Sequence, residues 1–165
     1  MSLYIPPLYA YTQQFPGVVA ANSFFAVTNP ESSGAVVVTL AFIATCASVG
    51  AVSGAAAMVM HRASGVSGGT LADNDTEIAR FVTTVPASVV ELRTSNPAAT
   101  LGARILSIQS VESTGSGSSA AASFQVPSGG PGAVLLPGES LVLRTENGDT
   151  DQRWNLNLLW QERAV

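Results

Sequence analysis

The stretch RWNLNLLWQE, residues 153–162, points to the fold class, because large apolar side chains recur in it at every second position. Four such residues alternate with mostly polar ones: Trp154, Leu156, Leu158 and Trp160 against Asn155, Asn157, Leu159 and Gln161. A β-strand would place both indoles on one face, whereas a helix would scatter the same residues around its axis. The stretch therefore predicts a strand with one buried face.

Short apolar segments like this one recur along the chain, separated by clusters of Gly, Pro, Asn and Ser. Such regular punctuation is typical of an all-β sandwich or barrel. With 165 residues, the chain is expected to form a single domain. A helix of one or two turns is expected only at 73–82. The strand candidates are 24–28, 35–49, 55–63, 86–94, 103–113, 120–126, 133–136, 140–146 and 153–162.

An uncharged run covers residues 32–60 and is long enough to cross a bilayer as a helix. The β-branched cluster at 36–39 favours a strand instead, and the glycines at 50–54 divide the run. We therefore predict a hairpin of the sandwich whose outer face lies against another subunit. Its alternation by size groups Val38, Leu40 and Phe42 on one face and Thr39 and Ala41 on the other.

Two Asn-Pro segments resemble each other. TNPESSGAVV, residues 28–37, and SNPAATLGARI, residues 95–105, both place Asn-Pro and a small loop before Gly-Ala and a strand. Proline restricts the residue before it to extended or turn conformations, and glycine adopts backbone angles that other residues avoid. The sequence predicts two similar corners of a sandwich.

The N-terminal residues 1–17 combine aromatic residues with three prolines, a mixture that cannot propagate a helix. They are predicted to form an extended arm, and residues 18–165 the sandwich domain. Aromatic rings bury a large area at little entropic cost, so the arm could lie across a neighbouring subunit. Packing on its own domain is the alternative. The candidate partner contacts are Tyr4, Tyr9, Tyr11 and Phe15.

The composition argues against several classes of function. Charged residues make up 11% of the chain, against about 25% in an ordinary soluble domain. All seven basic residues are scattered arginines and the net charge is −4, so no basic stripe is available for nucleic acid. Cys46 is the only cysteine, which excludes an intramolecular disulfide and a cysteine-based metal cluster. No cofactor is expected.

Motifs for catalysis and metal binding are weak. GVSGG, residues 65–69, matches the G-x-S-x-G elbow of serine hydrolases, but His61 precedes Ser67 and no helix is expected after it. The acidic loops 73–77 and 146–151 offer carboxylates to a cation, yet Ile78 stands where a calcium loop needs glycine. We interpret both loops as solvated turns and predict no enzymatic activity.

Three stretches, together with the aromatic start, carry a family resemblance: GVVAANSFFAVTNPESSGAVVVT (17–39), VELRTSNPAAT (90–100) and LLPGESLVLRTENGDTDQRWNLNLLWQE (135–162). The chain resembles the small virion structural proteins of tailed bacteriophages, in particular capsid decoration or cement proteins and related head appendages. The resemblance implies a single jelly-roll-like antiparallel β-sandwich, often trimeric, on the capsid surface. It implies the major capsid protein as a partner and no catalytic residues.

The leading hypothesis is therefore a non-enzymatic virion protein that decorates and stabilises a phage capsid as a homotrimer, without nucleic acid or membrane as a partner. The alternative is a phage fibre, spike-base or receptor-binding module that presents the Gly-Ser loops 113–119 and 127–132 to a host surface. A hydrolase using Ser67 and a membrane protein spanning 32–60 are two further hypotheses.

Overall fold

The structure, a computed structural model, describes residues 6–16, 22–48, 57–82, 84–109, 123–125, 133–147 and 153–165. These residues contain β-strands and no helix, so no helix among them is available to cross a membrane. The strands are β1 (Leu8–Pro16), β2 (Ser23–Thr28), β3 (Ala35–Ser48), β4 (Ala57–Ser67), β5 (Thr70–Leu71), β6 (Ala79–Arg80), β7 (Glu91–Thr94), β8 (Ala98–Gln109), β9 (Ser123–Gln125), β10 (Val134–Leu135), β11 (Ser140–Asn147) and β12 (Arg153–Ala164).

The strands form two antiparallel sheets that pack together as a sandwich. Sheet A has the order β10-β3-β12-β1-β6, with β9 also paired to β3. Sheet B has the order β5-β7-β2-β11-β4-β8. Apolar residues of both inner faces form one core. The prediction of an all-β sandwich is thus confirmed.

The first four strands of the chain alternate between the two sheets. β1 and β3 belong to sheet A, while β2 and β4 belong to sheet B. The predicted hairpin of residues 34–60 is therefore wrong, because β3 and β4 pair with other strands and not with each other. Crossing between the sheets lets both strands turn an apolar face toward the same core. Residues 49–56, which include the predicted turn, lie outside the described residues.

The predicted faces of β3 are also corrected, because a bulge interrupts its alternation. Along β12, Leu159 lies opposite Ala41 but Trp160 lies opposite Thr39. The extra residue reverses the inward phase of the strand. Val37 and Phe42 both belong to the core cluster, whereas Val38, which was grouped with Phe42, lies on the outer side of the sheet and is still only 8% exposed.

The alternation in β12 is confirmed by burial. Trp154 and Trp160 have no exposed surface, and the two leucines between them are at most 2% exposed. The intervening residues point away from the core. This strand lies between β3 and β1 in sheet A and anchors the core across its full length.

Residues 8–16 form β1 rather than an arm, so this part of the arm prediction is wrong. β1 pairs with β12 along its whole length, from Leu8 opposite Gln161 to Pro16 opposite Arg153. Its aromatic residues Tyr9, Tyr11 and Phe15 are buried in the core of their own sandwich, which corresponds to the alternative that we left open. Tyr4 lies outside the described residues.

The aromatic residues of β1 join the two sheets. The rings of Tyr11 and Phe25 are stacked with centroids 5.7 Å apart, and Phe15 meets Phe24 edge to face at 5.2 Å. Within sheet A, Tyr9 stacks on Trp160 at 5.7 Å. Aromatic pairs of this kind contribute about 0.5–1.5 kcal/mol each beyond the burial of their area. β1 is therefore an integral strand of the sandwich.

Raising the pH above 10 is expected to lower the free energy of unfolding through the ionisation of Tyr11. Burial raises the pKa of its phenol to about 12, and the Glu77 carboxylate adds to the rise. The unfolded chain loses this proton near pH 10, whereas the folded chain holds it. The stabilisation is therefore complete below pH 10 and is lost between about pH 10 and pH 12.

Urea unfolding of wild type and Tyr11→Phe at pH 7.5, 10 and 11.5 measures this dependence. We expect the wild type to lose more stability than the variant between the two upper pH values. Parallel loss in both proteins would contradict the assignment to Tyr11.

The two Asn-Pro corners differ, contrary to prediction. Asn29 is completely buried, and its Nδ2 donates to the carbonyls of Ala35 at 2.8 Å and Leu135 at 3.0 Å. Asn96 is exposed and has a positive φ of 63°, in a turn between β7 and β8. Asparagine adopts this left-handed conformation more readily than most residues. The first corner is thus a buried clamp and the second a tight surface turn.

Asn29→Ala is expected to lower the free energy of unfolding by about 2 kcal/mol, since it removes two hydrogen bonds and leaves two buried carbonyls without that donor. Asn96→Gly is the matched control, because it changes an exposed asparagine before proline and keeps the left-handed backbone. We expect the control to stay within about 0.5 kcal/mol of wild type. Equal losses in chemical denaturation would rule out the clamp.

Candidate docking surface

The outer face of sheet A is a broad surface whose central rows carry no charge. Every second residue of its strands points away from the core, because the residues between them are buried. We call the following set the neutral face: Leu8, Ala10, Thr12, Gln14, Val36, Val38, Ala41, Ile43, Thr45, Val134, Asn155, Asn157, Leu159 and Gln161. Arg163 and Arg153, at the next outward positions of β12 in either direction, stand at the two ends of the face.

Strand register arranges the neutral face in rows. One row runs Val134, Val38, Gln161, Leu8, and the next runs Ala41, Leu159, Ala10. The following rows are Ile43, Asn157, Thr12 and then Thr45, Asn155, Gln14. The face is therefore mainly apolar at one end and mainly amide and hydroxyl at the other.

The polar end is ordered by cross-strand hydrogen bonds. Thr12 Oγ1 donates to Asn157 Oδ1 at 3.0 Å, and Gln14 Nε2 donates to Asn155 Oδ1 at 3.1 Å. Each bond joins residues that lie directly opposite on β1 and β12. Both bonds lie within the face, so a partner need not supply these acceptors or donors.

Two exposed apolar side chains flank the apolar end. Phe81 is 61% exposed, and its backbone N–H donates to the carbonyl of Leu8 at 3.1 Å. Leu136 is 52% exposed and follows β10, whose register continues toward Val36. Large exposed apolar side chains at the border of an uncharged sheet favour a protein contact over free solvent.

The outer face of sheet B has the opposite character. Charged or titratable side chains occupy six of its outward positions, and two ion pairs lie among them, whereas the apolar outward residues Ala26, Val59 and Val142 are fully buried. Arg93 pairs with Glu91 at 3.1 Å, and Arg104 pairs with Glu146. The full set is His61, Glu91, Arg93, Arg104, Arg144 and Glu146. Taking such charges out of water is costly, so sheet B suits solvent better than sheet A does.

The described aromatic residues that were predicted as partner contacts lie on the inner side of sheet A, opposite the neutral face. Tyr9, Tyr11 and Phe15 point into the core. Their neighbours on β1 instead contribute to the neutral face. The alternation of residues 8–16 was the available signal for this division, and the prolines around it favoured the arm interpretation.

The geometry around Ser67 does not match a nucleophile elbow. Ser67 ends β4 opposite Ala98 and is followed by two glycines and β5, with no helix after it. His61 lies six residues earlier on the same strand, about 20 Å away at the usual rise. Its Nδ1 is 3.1 Å from the carbonyl of Gly102.

The acidic loop 73–77 is a compact turn, and the helix predicted for 73–82 is not present. The carboxylates of the loop accept hydrogen bonds from backbone N–H groups of the same loop. Asp73 accepts from the N–H of Asp75 at 2.8 Å, and Glu77 accepts from the N–H of Asp73 at 2.5 Å. The first of these bonds is the main cause that lowers the pKa of Asp73. Arg80 in β6 pairs with Asp75.

The other acidic loop is described only in part, since Asp149 and Asp151 lie outside the described residues and Glu146 pairs with Arg104. Across the described ranges, no group of three or more His, Cys, Asp or Glu residues is arranged to hold a metal ion.

The comparisons with known proteins identify no family for this sandwich. No family model matches the chain, and no curated protein or solved structure is significantly similar to it.

Proposed function

We propose that this chain is a non-enzymatic structural protein of a tailed-bacteriophage particle, located on the capsid surface, which it decorates and stabilises as a homotrimer. The observation that carries the proposal is the contrast between the neutral face of sheet A and the charged outer face of sheet B. One side of the sandwich is thereby suited to a protein contact and the other to solvent.

We further propose that the sandwich is a jelly roll. The order β1-β12-β3, continued by β9 and β10, lies against the order β2-β11-β4-β8. The chain moves between the two sheets as it enters β2, β3 and β4 and again as it enters β9, β11 and β12. With β9 and β10 counted as one strand because both pair with β3, two four-stranded sheets wound in this way make a jelly roll, an architecture common in viral capsid domains. The short strands β5 and β6, together with β7, would then form an insertion between β4 and β8.

Such a protein acts by binding alone. A capsid presents the same site many times, so a trimer can engage several sites and gain avidity without any strong single contact. Shape complementarity and buried apolar area, rather than catalytic groups, determine how tightly it holds.

Binding to capsids tests the proposal. Full-length protein is mixed with particles of its phage that lack it, and the mixture is separated by sedimentation and imaged by electron microscopy. We expect many copies in register with the capsid lattice and a higher temperature of capsid disruption. Absence from particles, or presence in only a few copies as for a fibre or spike-base module, would contradict decoration. Residues 113–119 and 127–132, on which that alternative depends, lie outside the described residues.

A further inference from the structure

We infer that the neutral face is the surface through which copies of this chain associate, with the rotation axis of the oligomer passing near it. The inference extends the proposed function and rests on it for the number of subunits in the oligomer, which is three. Its occupant is a second copy of the same face or of its border, and the capsid contacts other parts of the sandwich.

Charge is the first argument for a second copy as the occupant. Near a rotation axis, each residue lies close to the same residue of the neighbouring subunit. Every charged side chain there is therefore repelled by a like charge. The neutral face contains no charged residue, and its two bordering charges, Arg153 and Arg163, stand at opposite ends of β12. The outer face of sheet B would instead bring several arginines together. A capsid partner could carry complementary charges and would impose no such neutrality.

The area of the face is the second argument. The neutral face has 14 residues, and two exposed apolar side chains lie at its border. With strands about 4.8 Å apart and rows about 6.7 Å apart, these 16 positions cover roughly 500 Å² per copy. Specific interfaces begin at about 1,000 Å² in total, so the association has to bury the face together with its border.

The residue types are the third argument. Ala10 and Ala41 lie in the middle of the apolar end and allow another sheet to approach closely. Phe81 and Leu136 supply exposed apolar anchors at its border. At the polar end, the hydrogen bonds within the face satisfy two amide oxygens before any partner arrives. Burial in an oligomer would therefore leave fewer polar atoms for the partner to satisfy.

The experiment measures the molar mass of the full chain by light scattering and sedimentation equilibrium. Ala41→Arg introduces a guanidinium into the neutral face, and Asn157→Arg does so at an exposed position of the same face. Ala103→Arg on β8 is the matched control, since it makes the same change on an exposed strand of sheet B. Thermal unfolding confirms that each variant is folded.

We expect a wild-type trimer, a loss of association on the order of 100-fold or more in both neutral-face variants, and no change in the control. A monomeric wild type, or a trimer that both variants leave intact, would overturn the inference. Binding to capsids is measured in parallel. A monomer that still decorates capsids overturns the inference alone, whereas a trimer that depends on the neutral face but never binds capsids contradicts only the proposed function.

Discussion

Glu162→Ala is expected to lower the free energy of unfolding by about 3–5 kcal/mol, because its carboxylate is the common acceptor of three donors. Ser88 Oγ donates to Oε1 at 2.5 Å, and the indole N–H of Trp160 donates to the same oxygen at 3.1 Å. The backbone N–H of Val89 lies 3.1 and 3.2 Å from the two carboxylate oxygens. Glu162 and Ser88 are both buried, so water cannot easily replace the lost acceptor.

These bonds attach the segment before β7 to the end of β12. Tyr9 reinforces the attachment, since its hydroxyl donates to the carbonyl of Pro86 at 3.1 Å and its ring stacks on Trp160. Loss of the carboxylate is therefore expected to loosen residues 84–90 as well as to lower overall stability.

Urea denaturation followed by tryptophan fluorescence measures the loss. Glu162→Gln keeps one acceptor oxygen and should lose only about 1–2 kcal/mol. Glu31→Ala is the control, because Glu31 is exposed in a turn and should change stability by less than about 0.5 kcal/mol. Similar losses for Glu162→Ala and Glu31→Ala would show that the buried carboxylate does not hold the segment.

Local pattern predicted the strands more reliably than their partners. The period of two in residues 153–162 correctly placed both tryptophans in the core, since alternation depends only on the geometry of one strand. The sheet to which a strand belongs depends on residues far away in the chain. β3 and β4 follow one another in the chain yet lie in different sheets, which no local signal in residues 34–60 indicates.

Composition misled the interpretation of the N-terminus. Prolines and tyrosines in residues 1–17 favoured an arm, although Tyr9, Tyr11 and Phe15 already alternate with smaller or polar residues. The alternation proved to be the better guide, because residues 8–16 form a strand with a buried aromatic face. The bulge in β3 misled the interpretation in a similar way. It places Val38 and Phe42 on opposite faces of the strand, although their spacing had grouped them on one face.

The neutral face could not be read from the sequence as a surface. Thr12 and Asn157 lie 145 residues apart and become neighbours only through the pairing of β1 with β12. The shortage of charge along the chain was visible, but its concentration on one side of the sandwich was not. Burial of Glu162 was not predictable either, because a pattern based on polarity would place this carboxylate on the surface.

Gly69→Ala is expected to lower the free energy of unfolding by about 3–4 kcal/mol. Gly69 has a φ of +65°, where a side chain costs about 1–2 kcal/mol. An added Cβ would also lie 2.3 Å from the carbonyl oxygen of Thr94 and 3.3 Å from the backbone nitrogen of Pro97. Backbone atoms cannot rotate away as a flexible side chain can, so β5 and β7 would have to separate at further cost.

Gly68 provides the matched control for this clash. Its φ of +66° is almost the same, but a Cβ there would meet nothing within 4 Å. Gly68→Ala should therefore lose only about 1–2 kcal/mol, the cost of the left-handed backbone alone. Because both variants add the same atom at the same φ, the difference between their unfolding free energies isolates the contact with the turn after β7. Equal losses in urea denaturation would show that the backbone at Thr94 moves aside freely, and that β5 does not pack closely on β7.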